Sequence, residues 1–437
     1  MEIYNIITLI IVLTAIFGYI NHRFIKLPRT IGIMLISLIA SLVVVSIGII
    51  SPAFFNKTTE AISLIDFQIL LLKVMLSFLL FAAAIHINSK KLRSERVSII
   101  TFSTIGVVIS SFVIGTLLYA TISLFGLSVN YLYCLLFGAL ISPTDPIAVV
   151  GILKKAKIPD SLETKISGES LFNDGIGVVI FISVYQIAQI GIENISVWQI
   201  VWLFIKEAGG GFLFGWLLGY VGYLALKSID NYVVEVMITL AIVMGGYTLA
   251  DNLGISGPIA MVVAGLITGN KSMDKGMSDT TRDYVGKFWE MIDEVMNAIL
   301  FLLIGFEMLV IPFNFTLLWL GCISIVIVLF GRLLSVSLPI MVLRYKNSFP
   351  KSTIPILTWG GLRGGISVAL ALSLPKYMYG EMFVSITYIV VLFSIVVQGL
   401  TIGKFARKLV TKEKKGLLNN FKIIFGIRIF ANHLRHS

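Results

Sequence analysis

Residues 168–175, with the sequence GESLFNDG, place two carboxylates, a hydroxyl and an amide inside an otherwise apolar stretch. Glu169 and Asn173 are four residues apart, as are Ser170 and Asp174. In a helix each pair therefore shares a face, and the two faces adjoin. A charge at the centre of a bilayer costs roughly 2.5–3.5 kcal/mol on insertion scales. Groups kept there indicate a function, and oxygen atoms of these types are suited to hold a small hard cation or a proton.

Two other motifs interrupt the helices that contain them. Residues 142–146 read SPTDP, in which two prolines remove backbone donors and disfavour helical geometry in the residues before them. Residues 360–365 read GGLRGG, four glycines around Leu362 and Arg363. Irregular backbone at membrane depth is tolerated only where protein or a watery cavity satisfies it. Two such interruptions, at matching positions of inverted halves, indicate the binding site of a transporter.

The composition supports this placement in a membrane. The chain has 437 residues, of which 57% are hydrophobic and 13% charged, and long apolar runs recur from end to end. We predict an all-α polytopic membrane protein of about thirteen transmembrane helices with inverted repeats, in which helices 5 and 12 are broken and cross. The predicted helices are 3–20, 30–50, 66–88, 97–125, 130–153, 161–191, 196–226, 231–250, 255–270, 288–312, 315–343, 353–375 and 380–403.

The distribution of charge predicts the topology. The net charge of +11 comes from lysines and arginines in short loops, a pattern that membrane insertion explains without a nucleic-acid partner. The basic loops follow odd-numbered helices, so we expect a multi-pass protein of the cell membrane with its N-terminus outside and its C-terminus in the cytoplasm. Cys134 and Cys322 are isolated, and the four histidines are scattered, so neither a disulfide framework nor a metal centre built from them is expected.

The polar residues predict a specific cation site. If Asp174 points at the break in helix 5, its carboxylate, the Ser170 hydroxyl and the backbone carbonyls near Thr144 can surround a small hard cation together with water. The alternative for the neutral polar residues is that they only hydrogen-bond between helices.

Charge balance sharpens the prediction. Three acids are expected at membrane depth (Asp145, Glu169 and Asp174), and two arginines that always need partners (Arg332 and Arg363). One carboxylate is therefore left to be neutralised by a cation or by a proton. Competition for it is sufficient for electroneutral one-for-one exchange, and transport should fall steeply at low pH.

Four motifs, at 142–146, 168–175, 301–305 (FLLIG) and 361–365 (GLRGG), resemble those of the NhaP-type sodium/proton antiporters, relatives of the animal sodium/proton exchangers. The resemblance implies a homodimer in the lipid membrane, in which a core domain moves against a dimerisation domain. The implied divisions are a membrane domain 1–408, with core helices about 97–191 and 315–403, dimerisation helices about 1–88 and 231–312 and a linker helix about 196–226, followed by a basic tail 409–437.

The resemblance also implies roles for individual residues. Asp174 would bind the cation and the proton in turn, with Ser170 and Thr144 as co-ligands of the monovalent metal ion. Asn173 would take the place that a second aspartate holds in electrogenic relatives. No resident cofactor is implied, because Na⁺ or Li⁺ and H⁺ are the transported ions.

The same resemblance assigns the two arginines. Glu169 would pair with Arg332, and Asp145 would lie near Arg363. These four residues complete the predicted site.

Three other functions remain open from the residues. A K⁺/H⁺ antiporter fits equally well, because K⁺ is also a hard monovalent cation. A cation channel fits the broken helices less well, since these suit alternating access. An intramembrane protease could use Asp145 and Asp174, but no histidine lies at the depth of Ser170, so we do not expect an enzyme.

Further expectations concern the edges of the helices. The role of Lys73, near the middle of helix 3, stays open, since a lysine there can also extend along a tilted helix to the interface. Asp251, at the outer end of helix 8, is expected to be solvated. Residues 288–292 are expected to lie along the cytoplasmic interface. Glu307 is expected either to reach the outer interface, which is favoured, or to line an external funnel.

Overall fold

The structure, a computed structural model, describes residues 3–53, 69–145, 147–155, 158–191, 196–273, 276–307, 309, 314–345 and 349–413. Within these residues the named elements are helical. The α-helices are α1 (Ile3–Ile20), α2 (Arg29–Ile50), α3 (Leu76–Ile85), α4 (Ser89–Ser94), α5 (Arg96–Thr101), α6 (Val107–Leu124), α7 (Tyr131–Ile141), α8 (Ile147–Lys155), α9 (Asp160–Ile190), α10 (Val197–Phe204), α11 (Gly210–Lys227), α12 (Tyr232–Leu253), α13 (Gly257–Ile267), α14 (Asp279–Glu307), α15 (Phe315–Leu343), α16 (Thr353–Trp359), α17 (Gly365–Leu372) and α18 (Gly380–Phe393). Short π-helical turns extend several of them, for example Leu70–Met75 before α3 and Ser394–Gln398 after α18.

Length and composition identify the membrane spans. Eight helices in the described part of the chain are long and apolar enough to cross a bilayer, among them Asp160–Ile190 and Phe315–Leu343. Shorter apolar helices accompany them, at Leu70–Ile85 and Tyr131–Ile141. The polytopic all-helical class is therefore confirmed, while the number thirteen stays a prediction.

Polar residues at the helix starts explain where several helices begin. The Asn130 side chain accepts a hydrogen bond from the Leu132 amide at 2.9 Å, and Asn314 does the same for Thr316 at 2.9 Å. Asn231 accepts from the Val233 amide at 3.1 Å. These side chains accept hydrogen bonds from amide groups that have no partner within the helix, so each stabilises the first turn of an apolar helix and defines where the helix begins.

One group of helices surrounds the breaks. Helix α6 packs against α7 and α15, α9 packs against α7, and α18 packs against α15 and α17. Glycine permits the closest of these approaches: a Cβ on Gly115 of α6 would lie 2.8 Å from the Leu135 Cα of α7. Helices α7 and α9, which carry the polar motifs, are therefore held at a fixed spacing.

A second group consists of α2, α3, α12, α13 and α14, and it packs around Trp289. Trp289 is fully buried, with its ring 4.7 Å from that of Phe81 and its Nε1 donating to the Thr239 hydroxyl at 3.0 Å. Helix α14 is continuous through residues 288–292 and buries Trp289 among α3 and α12, while the position of this stretch relative to the membrane interface stays a prediction. The two groups meet where α9 contacts α13 and where α14 contacts α17.

Lys73 and Asp251 form an ion pair with 2.7 Å between Nζ and Oδ2. The pair gives Lys73 a partner, while Asp251 stays accessible to solvent as expected. Both side chains remain about half exposed, so the pair ties α12 to the turn before α3 at modest energetic gain. The Glu307 side chain, and the part of the predicted tail from residue 414 on, lie outside the described residues.

Candidate cation-binding site

The two interrupted segments meet in the structure. Helix α7 ends at Ile141, and α17 begins at Gly365 after the break at 360–364. The Asp145 amide donates to the Leu362 carbonyl at 2.8 Å, which makes an antiparallel bridge between the breaks. The prediction of broken, crossing segments is thereby confirmed for both motifs.

Arg363 satisfies carbonyl groups that the first break leaves without helical partners. Its Nη1 donates to the carbonyl oxygens of Ser142 at 2.5 Å and Pro143 at 2.9 Å, and its side chain is buried. A guanidinium at the C-terminal end of a half-helix also complements the partial negative charge there. Arg363 therefore stabilises the unwound backbone directly.

Asp145 sits against the start of α17. A Cβ on Gly364 would lie 2.5 Å from the Asp145 Oδ2, so a residue without a side chain is needed at this position. The partial positive charge of a helix N-terminus stabilises a carboxylate placed beside it. The structure thus puts Asp145 next to Leu362, the residue that precedes Arg363.

Glu169 and Arg332 form a buried ion pair between α9 and α15. The Arg332 Nη1 donates to the Glu169 Oε1, and the Arg332 Nε donates to the Leu357 carbonyl at 3.2 Å. Their side chains are only 1% and 8% exposed, respectively. This is the pairing that the family resemblance implied, and it leaves Glu169 with a permanent counter-charge.

Ser170 and Asn173 both contact Thr144 in the break. The Ser170 hydroxyl donates to the Thr144 carbonyl, and the Asn173 Nδ2 donates to the Thr144 hydroxyl at 2.8 Å. The Thr144 amide completes the set by donating to the Asn173 Oδ1 at 3.4 Å. Asn173 therefore holds the unwound segment in position, while the oxygens of Ser170 and Thr144 keep lone pairs that a cation can use.

Asp174 lies one turn after Ser170 and faces a cavity of about 580 Å³. Its side chain is mostly buried at 9% exposure, and it forms no hydrogen bond or ion pair with any described residue. Thr144 and Asp145 line the same cavity. An ionised carboxylate in this position requires a cation or a proton as its partner.

The mouth of this cavity is lined by charged residues of the predicted basic loops. Lys91 pairs with Asp160 at 3.1 Å, and Lys154 pairs with Glu163 at 3.3 Å. The cavity thus leads from charged, exposed ends of the helices to Asp174. This arrangement gives an ion access to Asp174 from that side.

Asp293 of α14 also lines the cavity, and sequence reasoning missed it. It lies in a stretch where charged and apolar residues mix, which indicated an interfacial segment. The available signal was helical spacing, because Asp293, Asn297 and Leu300 fall on one face of a helix.

Comparisons with known proteins agree with this site and fold. The profile of the family described as "Sodium/hydrogen exchanger, transmembrane" matches residues 11–408. The chain is 50% identical over 414 residues to the Na⁺/H⁺ antiporter NhaP of Pseudomonas aeruginosa, covering 93% of this chain and 96% of that protein. It is 34% identical over 392 residues to the Na⁺/H⁺ antiporter NhaH of Halobacillus dabanensis, covering 89% and 93%.

The fold is also that of a solved transporter. The sodium proton antiporter MjNhaP1 from Methanocaldococcus jannaschii superimposes with a TM-score of 0.74 at 19% identity, over 94% of this chain and 99% of that one. A multi-pass helical membrane protein with crossed broken helices is the class that the fold and site define. The chain belongs to the sodium/hydrogen exchanger family, and its predicted resemblance to the NhaP-type antiporters is confirmed.

Proposed function

We propose that this protein is a secondary antiporter that exchanges Na⁺ for H⁺ across the cell membrane. The observation that carries the proposal is the Asp174 carboxylate, which faces the cavity without a partner among the described residues. The Ser170 hydroxyl and the Thr144 oxygens supply neutral ligands beside it. The printed names of the relatives, Na⁺/H⁺ antiporters from several bacteria, support the choice of ions.

Competition for Asp174 provides the coupling. A proton or a cation neutralises the carboxylate, and each excludes the other, so the loaded site carries the same charge in both cases. Glu169 keeps its counter-charge on Arg332, and Asn173 is neutral. Asp174 is then the group that changes its occupant, which supports electroneutral exchange of one Na⁺, or one Li⁺, for one H⁺.

Movement of one helix group against the other would expose the cation site first to one side of the membrane and then to the other. The crossed breaks, α9 and α15 are joined by the Glu169–Arg332 pair and by the Arg363 contacts, which favours their motion as a unit. This unit corresponds to the core of the implied elevator, with α2, α3 and α12–α14 as the stationary part. The orientation follows the charge pattern, with the cavity open to the cytoplasm and the N-terminus outside.

A homodimer is part of the proposal. Helices α10 and α11 present exposed aromatic residues, including Trp198, Trp202 and Trp216. Such a surface can face lipid. The family resemblance instead favours contact with a second copy of the chain at the dimerisation helices, about 1–88 and 231–312. Light scattering of the detergent-solubilised protein should give the mass of two chains after correction for detergent.

Transport by purified protein in liposomes tests the function. Internal pH is followed with a pH-sensitive dye while Na⁺, Li⁺ or K⁺ is added, with and without an imposed membrane potential. We expect proton movement on addition of Na⁺ and no dependence of its rate on the potential. Asp174→Asn should abolish the response, while Asp279→Asn, the same chemical change at an exposed site in the first turn of α14, should keep it.

The same assay separates the rival functions. A response to K⁺ but not to Na⁺ would make the protein a K⁺/H⁺ antiporter. Cation flux that does not move protons and follows the potential would indicate a channel. Exchange that persists in Asp174→Asn would remove the proposed site.

A further inference from the structure

The carboxylates at the cavity mouth are paired with lysines, but a second carboxylate besides Asp174 has no ion-pair partner among the described residues. Asp160 and Glu163 are paired with Lys91 and Lys154. Asp293, which lines the same cavity, has no ion-pair partner among the described residues. Its neighbour in the chain, Glu294, pairs with Arg29 instead.

Asn297 lies one helical turn from Asp293 and holds its carboxylate in place. Its Nδ2 donates to the Asp293 Oδ1 at 3.1 Å and to the Asp293 carbonyl at 2.7 Å. Asn297 is 2% exposed and does not line the cavity, so it acts on the cavity through the carboxylate that it orients.

Asp293 lies on the face of α14 that borders the cavity. Leu300, two turns further along this face, also lines the cavity and packs against Gly365 at the start of α17. A carboxylate is a ligand type that a hard, partly hydrated monovalent cation prefers.

We propose that Asp293, oriented by Asn297, forms an entry site, at which a Na⁺ or Li⁺ ion rests before it reaches Asp174. This inference depends on the proposed antiport, since it assigns a second site to the same ion. The entry site belongs to α14 and the deep site to α9, so the two belong to different helix groups. Asp293 thus raises the local concentration of the cation near Asp174 while the cavity is open. Because Asp293 belongs to the stationary helices, the entry site does not move with the core.

The test measures the rate of exchange against Na⁺ concentration in everted vesicles, where the cavity side faces the medium under the proposed orientation. Asp293→Asn should raise KM for Na⁺ by roughly threefold to tenfold, more than it changes kcat. Asn297→Ala should raise KM by a smaller factor, and Asp293→Glu should restore much of the affinity. The control is Glu290→Gln, which removes an exposed charge one turn away on α14 that does not line the cavity.

The outcomes distinguish a cation bound at Asp293 from a general electrostatic effect of charge on α14. Two results would overturn the proposal. An unchanged KM for Na⁺ in Asp293→Asn would show that Asp293 does not bind the ion. An equal rise of KM in Glu290→Gln would show that any negative charge on α14 has the same effect. If Asp293→Asn fails to fold, as judged by gel filtration, Asn297→Ala decides by the same criterion. Failure of the wild-type protein to exchange Na⁺ for H⁺ would instead refute the proposed function.

A binding experiment gives a second readout. In the Asp174→Asn background the deep site is disabled, and we expect weak binding of radioactive sodium that is lost when Asp293→Asn is added. Equal binding in the single and double variants would contradict the entry site.

Discussion

Asn173 and Thr144 are joined by two hydrogen bonds across the break, from the Asn173 Nδ2 to the Thr144 hydroxyl at 2.8 Å and from the Thr144 amide to the Asn173 Oδ1 at 3.4 Å. The amide of one helix thereby replaces the helical partners that the unwound segment lacks. Asn173 contributes to the site by fixing the residue whose oxygens lie beside Asp174.

Replacing Asn173 should therefore weaken cation binding. Asn173→Ala removes both bonds, each worth about 0.5–1.5 kcal/mol, and frees Thr144 to move away from Ser170. We expect KM for Na⁺ to rise by about threefold to tenfold, which corresponds to a loss of about 1 kcal/mol of binding free energy. The measurement is the Na⁺ dependence of exchange in proteoliposomes. Ser183→Ala is the control, because Ser183 is a buried residue of α9 that bonds only within its own helix, to the Val179 carbonyl at 2.8 Å.

Breaking the Glu169–Arg332 pair should destabilise the protein. Glu169→Gln leaves a buried guanidinium without a counter-charge, which typically costs about 3–5 kcal/mol. The melting temperature of the detergent-solubilised protein should fall clearly, and Glu169→Gln combined with Arg332→Gln should recover part of the loss. Glu381→Gln breaks the exposed pair with Lys376 and should leave the melting temperature unchanged. Equal melting temperatures for Glu169→Gln and the wild type would show that the pair contributes no net stability.

Exchange should weaken at low pH through affinity for the cation. The proton and Na⁺ compete for the ionised form of Asp174, so the apparent KM for Na⁺ rises as pH falls, approaching about tenfold per pH unit once the protonated form dominates. The maximal rate at saturating Na⁺ on the loading side should change much less. Na⁺ titrations at several pH values measure both quantities. A falling maximal rate with constant KM would argue against a shared site.

The close approach of Gly364 to Asp145 gives a prediction about the crossing. Gly364→Ala would place a Cβ 2.5 Å from the Asp145 Oδ2, so the carboxylate or the backbone has to shift. We expect loss of most transport, measured as initial rate per folded protein. Gly286→Ala in α14 is the matched control, since a Cβ there has no neighbour within 4 Å, and it should leave transport intact. Normal transport in Gly364→Ala would mean that the crossing tolerates displacement.

Local sequence signals predicted much of the fold. Apolar runs predicted the membrane-spanning helices, and Pro143 and the glycines around Arg363 predicted where two helices are interrupted. Proline and glycine act on the backbone in which they lie, so their effect can be predicted locally. The shared face of Ser170 and Asp174 also followed from spacing alone. In each case the deciding interaction lies within a few residues of the chain.

Contacts between distant residues were harder to predict. Lys73 and Asp251 are 178 residues apart, and nothing in either stretch indicates the other. The charged residues around Trp289 give no local sign that tertiary packing buries it against Phe81. Asp293 is equally hard to place from the sequence, because the orientation of α14 towards the cavity is set by its packing on α2 and α3.

The bridge from Asp145 to Leu362 and the contacts of Arg363 with Ser142 and Pro143 have a consequence for the speed of transport. These bonds join protein groups only, so they hold the unwound segments in position whether or not an ion is bound. The cation-binding site is therefore preorganised. Loading and release then exchange water for protein oxygens without refolding a loop. Turnover should accordingly be limited by desolvation of the ion and by the movement between the two sides of the membrane.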